Sequence, residues 1–146
     1  MPLRPLPLLA AVAIGLTASP VLAADPVEGV WQAAGGDAKV RIAPCAAQSE
    51  RLCGTIVWVR DENGAASPGR DVNNPDPKLR GRSILGLQLI RDFQRAEPGR
   101  WTDGKIYDPQ SGRTYASNMR LNADGTLKVE GCVVLLCLGQ TWRRAG

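Results

Sequence analysis

The stretch that decides the fold is residues 101–121, WTDGKIYDPQSGRTYASNMRL. It reads as two β-strands joined by Asp108-Pro109-Gln110-Ser111-Gly112. Proline presets φ for the second position of a type I turn, and Gly112 can take the positive φ that closes such a hairpin. The flanking Trp101, Thr102, Ile106, Tyr107, Thr114 and Tyr115 are aromatic or β-branched and suit a pleated surface. With residues 109–112 as the loop, Tyr107 faces Thr114 and Ile106 faces Tyr115. One face then carries Thr102, Gly104, Ile106, Tyr115, Ser117 and Met119; the other carries Trp101, Asp103, Lys105, Tyr107, Asn118 and Arg120. Neither is cleanly apolar. The enclosed side is therefore expected to be partly polar, which suits a barrel with a cavity better than a solid core.

Outward from this hairpin, short strand signals recur between turns. Residues 28–32 begin the first strand, and Gly35-Gly36-Asp37 turns it into residues 39–42. Residues 52–60, LCGTIVWVR, set Ile56 and Trp58 against Val57 and Val59. A long loop follows over residues 64–82, in which Asn74 and Pro75 are expected to cap and start one turn of helix. Apolar alternation resumes at Ile84 and runs to Gln94, with Leu85, Leu87 and Leu89 on one side. Beyond the central hairpin, residues 122–125 turn the chain into strands at 126–131 and 138–143. Eight strands joined mostly by tight turns predict an all-β, antiparallel, up-and-down barrel, which leaves no free edge.

The 146-residue chain is long enough for one domain with a real core. Its formal charge of +4 comes without a basic run beyond Arg143-Arg144, so nucleic acid is not expected as a partner. Histidine is absent, which removes the commonest general base and transition-metal ligand. Residues 1–23 read as a cleavable signal peptide: Arg4 supplies the positive n-region, residues 6–16 the apolar stretch, and Val21-Leu22-Ala23 the cleavage site. The apolar run is too short and too interrupted by proline for a transmembrane segment. A single domain is thus expected over residues 24–146, in the periplasm.

Export makes the four cysteines readable as disulfides. Cys45 with Cys53 and Cys132 with Cys137 is the favoured pairing, because each pair brackets a turn; each bond would contribute about 2–3 kcal/mol. A zinc site is the competing reading, but neither pair has the usual ligand spacing. No metal and no cofactor are expected.

Gly29-Val30-Trp31 in the first strand and Thr141-Trp142-Arg143 in the last resemble the lipocalin arrangement. There the tryptophan sits at the closed end of the barrel and a late arginine packs over its ring. The resemblance implies that role for Trp31 and Arg143, through a cation–π contact. Over the whole mature chain, GVW, LCGTIVWV, GRDVNNPDPKLRGRSILGL, WTDGKIYDPQSGRTYASNM, LKVEGC and TWRR resemble an exported bacterial family, domain of unknown function number 2147. That resemblance implies a lipocalin-like barrel in the periplasm and no established activity.

Three function classes follow. A barrel of eight strands leaves room for one small-molecule or lipid ligand. Trp58, Leu87, Ile106, Tyr115 and Met119 are candidate lining, and Asp71, Asn73, Asn74, Tyr107, Asp108, Tyr115 and Asn118 are candidate ligand-binding residues, with the 69–82 loop over one mouth. The duller reading of the Asp and Asn side chains is that they bond their own turns and plug the barrel. A carboxylate-based hydrolase would draw on Asp71, Asp76, Asp103 or Asp108 with Tyr107 or Tyr115, if two carboxylates stood about 5–10 Å apart. A protein- or membrane-facing envelope module would use Val133, Val134, Leu135 and Leu136 between the last two cysteines, unless that run folds back over the barrel mouth.

Overall fold

The computed structural model describes residues 23–47 and 49–146, together with Gly15 and Ala18; nearly all of the expected signal peptide lies outside them. Eight strands follow one another: β1 (Gly29–Gln32), β2 (Ala38–Pro44), β3 (Leu52–Val59), β4 (Gln88–Glu97), β5 (Arg100–Asp108), β6 (Arg113–Leu121), β7 (Leu127–Val133) and β8 (Leu136–Arg144). Each is antiparallel to its neighbours, and β8 returns to β1 to close the barrel.

The central hairpin has the expected register, with Ile106 opposite Tyr115 and Tyr107 opposite Thr114. Its faces need one correction. The register shifts between Trp101 and Gly104, where Asp103 has a φ of +58°. A bulge adds one residue to one strand and inverts the alternation beyond it. Trp101 therefore pairs with Met119, and both are buried, although unbroken alternation placed them on opposite faces. A second bulge lies at β2–β3: Lys39 pairs with Trp58 and Val40 with Ile56, which skips Val57. Ile56 and Val59 are consequently both buried, while Trp58 is half-buried with the Lys39 ammonium 5.2 Å from its ring centre.

Two loop expectations also shift. The short helical turn is a 3-10 turn at Pro77–Leu79, capped by the Asp76 carboxylate accepting from the Lys78 N–H at 3.0 Å, not started by Asn74 and Pro75. The Asn74 side chain has other partners, described below. β4 begins at Gln88, not Ile84, because the Leu87 N–H closes a turn onto the Ile84 carbonyl at 3.1 Å, with Gly86 at positive φ.

The core is concentrated at one end of the barrel, the end that holds the N-terminal segment and the β2–β3, β4–β5 and β6–β7 turns. Trp31, Trp101, Trp142, Phe93, Met119 and Leu127 fill it. Their polar edges are satisfied. The indole N–H of Trp31 donates to the Val27 carbonyl at 2.8 Å, and that of Trp101 to the Asp25 carboxylate at 3.1 Å. Cys45 and Cys53 are bonded at this end, Cys132 and Cys137 at the other.

The arginine over Trp31 is Arg144, not Arg143; its guanidinium lies 4.0 Å from the ring centre. The reason is the pleat. Trp142 and Arg144 share a face of β8, and Arg144 stands directly opposite Trp31 while Arg143 stands opposite Gln32. Arg144 also donates to the Glu28 carbonyl at 2.7 Å and to the Pro26 carbonyl, tying the N-terminal segment across the base. Gly29 is required here: its φ is +125°, and a Cβ would meet the Arg144 guanidinium at 2.7 Å.

Candidate functional site

The opposite end is open. The β1–β2, β5–β6 and β7–β8 turns, with the 60–87 loop, surround a cavity of about 510 Å³. Its walls are aliphatic: Ile56 and Val59 from β3, Leu89 from β4, Ile106 from β5, Val129 from β7 and Leu138 from β8. Trp142 also lines it, and polar groups come from Tyr107, Tyr115, Gln140 and Arg113, with Asp37, Asp108 and Gln110 at the turns around the mouth. Period-two projection explains the β8 contribution, since Leu136, Leu138, Gln140 and Trp142 all line the cavity. The β3 contribution depends on the bulge that places Ile56 and Val59 on one side. No buried side-chain nitrogen or oxygen among the described residues lacks a partner. With walls that are mainly aliphatic, the cavity asks its contents for few hydrogen bonds.

The candidate binding residues divide. Tyr107, Asp108 and Tyr115 line the cavity. The Tyr115 hydroxyl stands 3.4 Å from that of Ser111, and the Asp108 carboxylate accepts from the Gln110 N–H at 3.0 Å within its own turn. Asp71, Asn73, Asn74 and Asn118 do not line it. Asn118 lies one residue out of phase with Tyr115 and Ser117, and its amide points to the Cys132 sulfur at 4.0 Å. Asn73 holds the β5–β6 turn by donating to the Gln110 carbonyl at 2.8 Å. Among the expected lining residues, Ile106 and Tyr115 take that place. Trp58 sits with Lys39 beyond the β3 bulge, Leu87 in the turn before β4, and Met119 in the packed base.

Asp71 and Asn74 form a buried polar knot that fastens the long loop to β5. Asp71 is 0 % exposed. Its carboxylate accepts from the Tyr107 hydroxyl at 2.5 Å, the Asn74 amide at 2.8 Å and the Arg82 guanidinium at 2.8 Å. The Asn74 amide also donates to the Tyr107 oxygen at 3.1 Å, and its carbonyl accepts from the Asp76 N–H. Burial alone would raise the Asp71 pKa. The three hydrogen bonds and the Arg82 charge outweigh it and hold the carboxyl below its usual range. Tyr107 is pushed upward, first by burial, then by its bond to the Asp71 carboxylate and by that charge. The knot is a clamp: every Asp71 contact is internal.

The remaining carboxylates considered for hydrolysis have structural partners or positions. Asp76 caps the 3-10 turn, Asp103 occupies the exposed bulge of β5, and Asp108 holds its turn. Asp37 lines the cavity mouth but is paired with Arg60. Cys45, Cys53 and Asp92 lie within 4.8 Å of one another, yet the two sulfurs are bonded together and offer no thiolate to a metal.

Sequence reasoning missed most of the cavity walls. The β8 alternation was a usable signal for Leu138 and Gln140, whereas Val59 depends on a bulge that no residue type announces. Ile84 comes from the returning limb of the long loop.

Residues 29–144 match the model of a family described as "Uncharacterized protein conserved in bacteria (DUF2147)". Among solved structures, the chain is similar to the protein HP1028 from the human pathogen Helicobacter pylori, described as belonging to the lipocalin family. The TM-score is 0.69 at 22 % identity, over 82 % of this chain and 83 % of that one. At that identity the likeness is one of fold. No curated protein matches the chain.

Proposed function

The chain belongs to the bacterial family DUF2147, and we propose that this member is exported to the periplasm and takes one small, largely apolar ligand into the open end of its lipocalin-like barrel. The observation that carries the reading is the contrast within one interior. Aromatic side chains fill one end, while the other keeps a cavity of about 510 Å³ behind aliphatic walls. That volume falls within the range of roughly 300–1,000 Å³ usual for small-molecule sites. Tyr115 and Arg113 at the mouth would meet a polar or anionic head, with the apolar body inside.

Two further observations support export. Both disulfides belong to an oxidising compartment. Asp25, just beyond the proposed cleavage site, is already tied into the barrel, since its carboxylate accepts from the Trp101 indole N–H. No helix among the described residues is long and apolar enough to cross a membrane.

Native mass spectrometry of the protein purified from its own periplasm tests both parts. The expected spectrum shows a chain beginning at Ala24 with a bound mass that disappears on denaturation. A bare chain in material never exposed to detergent would refute ligand binding, and retention of residues 1–23 would refute the processing.

A further inference from the structure

The β7–β8 hairpin ends in a tip that the needs of the fold do not explain. Val134 and Leu135 are 92 % and 96 % exposed, and they do not fold back over the cavity. The two form a tight turn between the paired Val133 and Leu136, with a φ of +53° at Val134. Positive φ at the first central position alone is the pattern of a type II′ turn, which favours glycine there. A β-branched residue in that region is strained. Glycine with a polar neighbour would make the same turn with less strain and no apolar exposure. Directly beneath, Cys132 and Cys137 are bonded across the two strands and keep the tip projecting.

The apolar surface does not stop at the tip. Val133, Leu136 and Leu138, all well exposed, line the cavity mouth and lead inward to Val129 and Trp142. Arg113 stands exposed at the same mouth and has no carboxylate partner among the described residues.

We propose that this tip docks the barrel on a phospholipid surface, with Val134 and Leu135 entering the interfacial layer and the cavity mouth set against it. A narrow projecting tip is a poor protein interface, which needs on the order of 800 Å² of complementary surface on each partner. Membrane insertion needs no such match. It grows with the apolar area inserted and with attraction between nearby cations and anionic lipid. The unbroken apolar path from tip to cavity also gives a lipid-like molecule a route that avoids water. Docking stands on the tip alone; its use for loading rests on the ligand-binding reading above.

Flotation of the exported protein with vesicles of phosphatidylethanolamine and phosphatidylglycerol tests the docking. Wild-type protein rises with the vesicles. The variant V134S/L135S, with an unchanged melting temperature, loses partitioning by about tenfold or more, as expected from the apolar area removed. Arg113→Gln weakens partitioning onto these vesicles but not onto phosphatidylcholine alone. As a second readout, Leu135→Trp shows a blue-shifted emission when vesicles are added. Wild-type protein that stays with the aqueous fraction, or a double variant that floats equally well, overturns the proposal. So does a concentration-dependent dimer abolished by V134S/L135S without vesicle binding, which would assign the tip to a second copy. Flotation with only a bare chain in the native mass spectrum would sustain docking and refute the ligand reading.

Discussion

Ser117 pairs with Gly104 on one side and with Gly131 on the other, so the two glycines flank one position on neighbouring strands. Their surroundings are opposite. A Cβ at Gly104 would fall 2.2 Å from the Phe93 ring, whereas one at Gly131 would meet nothing nearer than the Tyr115 Cβ at 3.5 Å. The first glycine is a seat for an aromatic ring that closes the base. The second leaves room. The same pleat thus gives a packed end where stability resides and an open end where a ligand would sit. Substitutions at the two ends should separate stability from binding.

Trp31→Ala at the base carries the largest expected loss, about 3–5 kcal/mol, because it removes a wholly buried ring and the seat of Arg144. Denaturant unfolding measures it, and a loss below about 1 kcal/mol would mean that the base is not the stabilising end.

Asp71→Asn tests whether the loop beside the cavity is a clamp. A hydrogen-bonded charged group lost there costs about 1.5–3 kcal/mol near neutral pH. The sign with pH follows from the two shifts. Asp71 titrates below its ordinary 3.8, so its contribution is complete above that value and is lost as pH falls through the folded pKa. Tyr107 titrates above its ordinary 10.0, so its contribution is complete below that value and is lost as pH rises through the folded pKa. The gap between wild type and variant should therefore narrow in acid. A gap of constant size down to the lowest pH at which the protein stays folded would show that the Asp71 charge is not what holds the loop.

A smaller effect distinguishes the two adjacent arginines. Arg144→Ala should cost about 1–2 kcal/mol through the lost cation–π contact and its carbonyl bonds. Arg143→Ala, on the outer face, should stay within about 0.5 kcal/mol. Equal losses would contradict the assignment.

These arginines show where the sequence stops being legible. That an arginine covers Trp31 was implied by the resemblance to lipocalins; which one followed only from the β1–β8 register, set by pairing across the whole closed barrel. The turn at residues 109–112 was legible because proline and glycine announce it. The disulfides were legible because each pair brackets a turn. The bulges at Asp103 and Val57 were not. An aspartate at positive φ and a skipped valine look like any other strand residues, yet each reverses which side chains face inward. Trp58 went astray as cavity lining for that reason, whereas Met119 faces inward with Tyr115 as expected but lies in the packed base. The Asp71–Tyr107 contact joins residues far apart in the chain and has no local signature at all.

That the open end is a ligand site is tested most directly by titrating a fluorescent fatty acid into wild type and Gly131→Leu. A Cβ at this position makes only ordinary contacts, with Tyr115 and Ile106 at 3.5 Å or more, and the position lines the cavity, so the variant's stability should stay within about 1 kcal/mol of wild type. Wild type should bind one probe saturably, and the variant at least about tenfold more weakly, because the new side chain occupies the cavity. Equal affinity in both, at unchanged stability, would place the probe elsewhere and contradict a ligand site at this end.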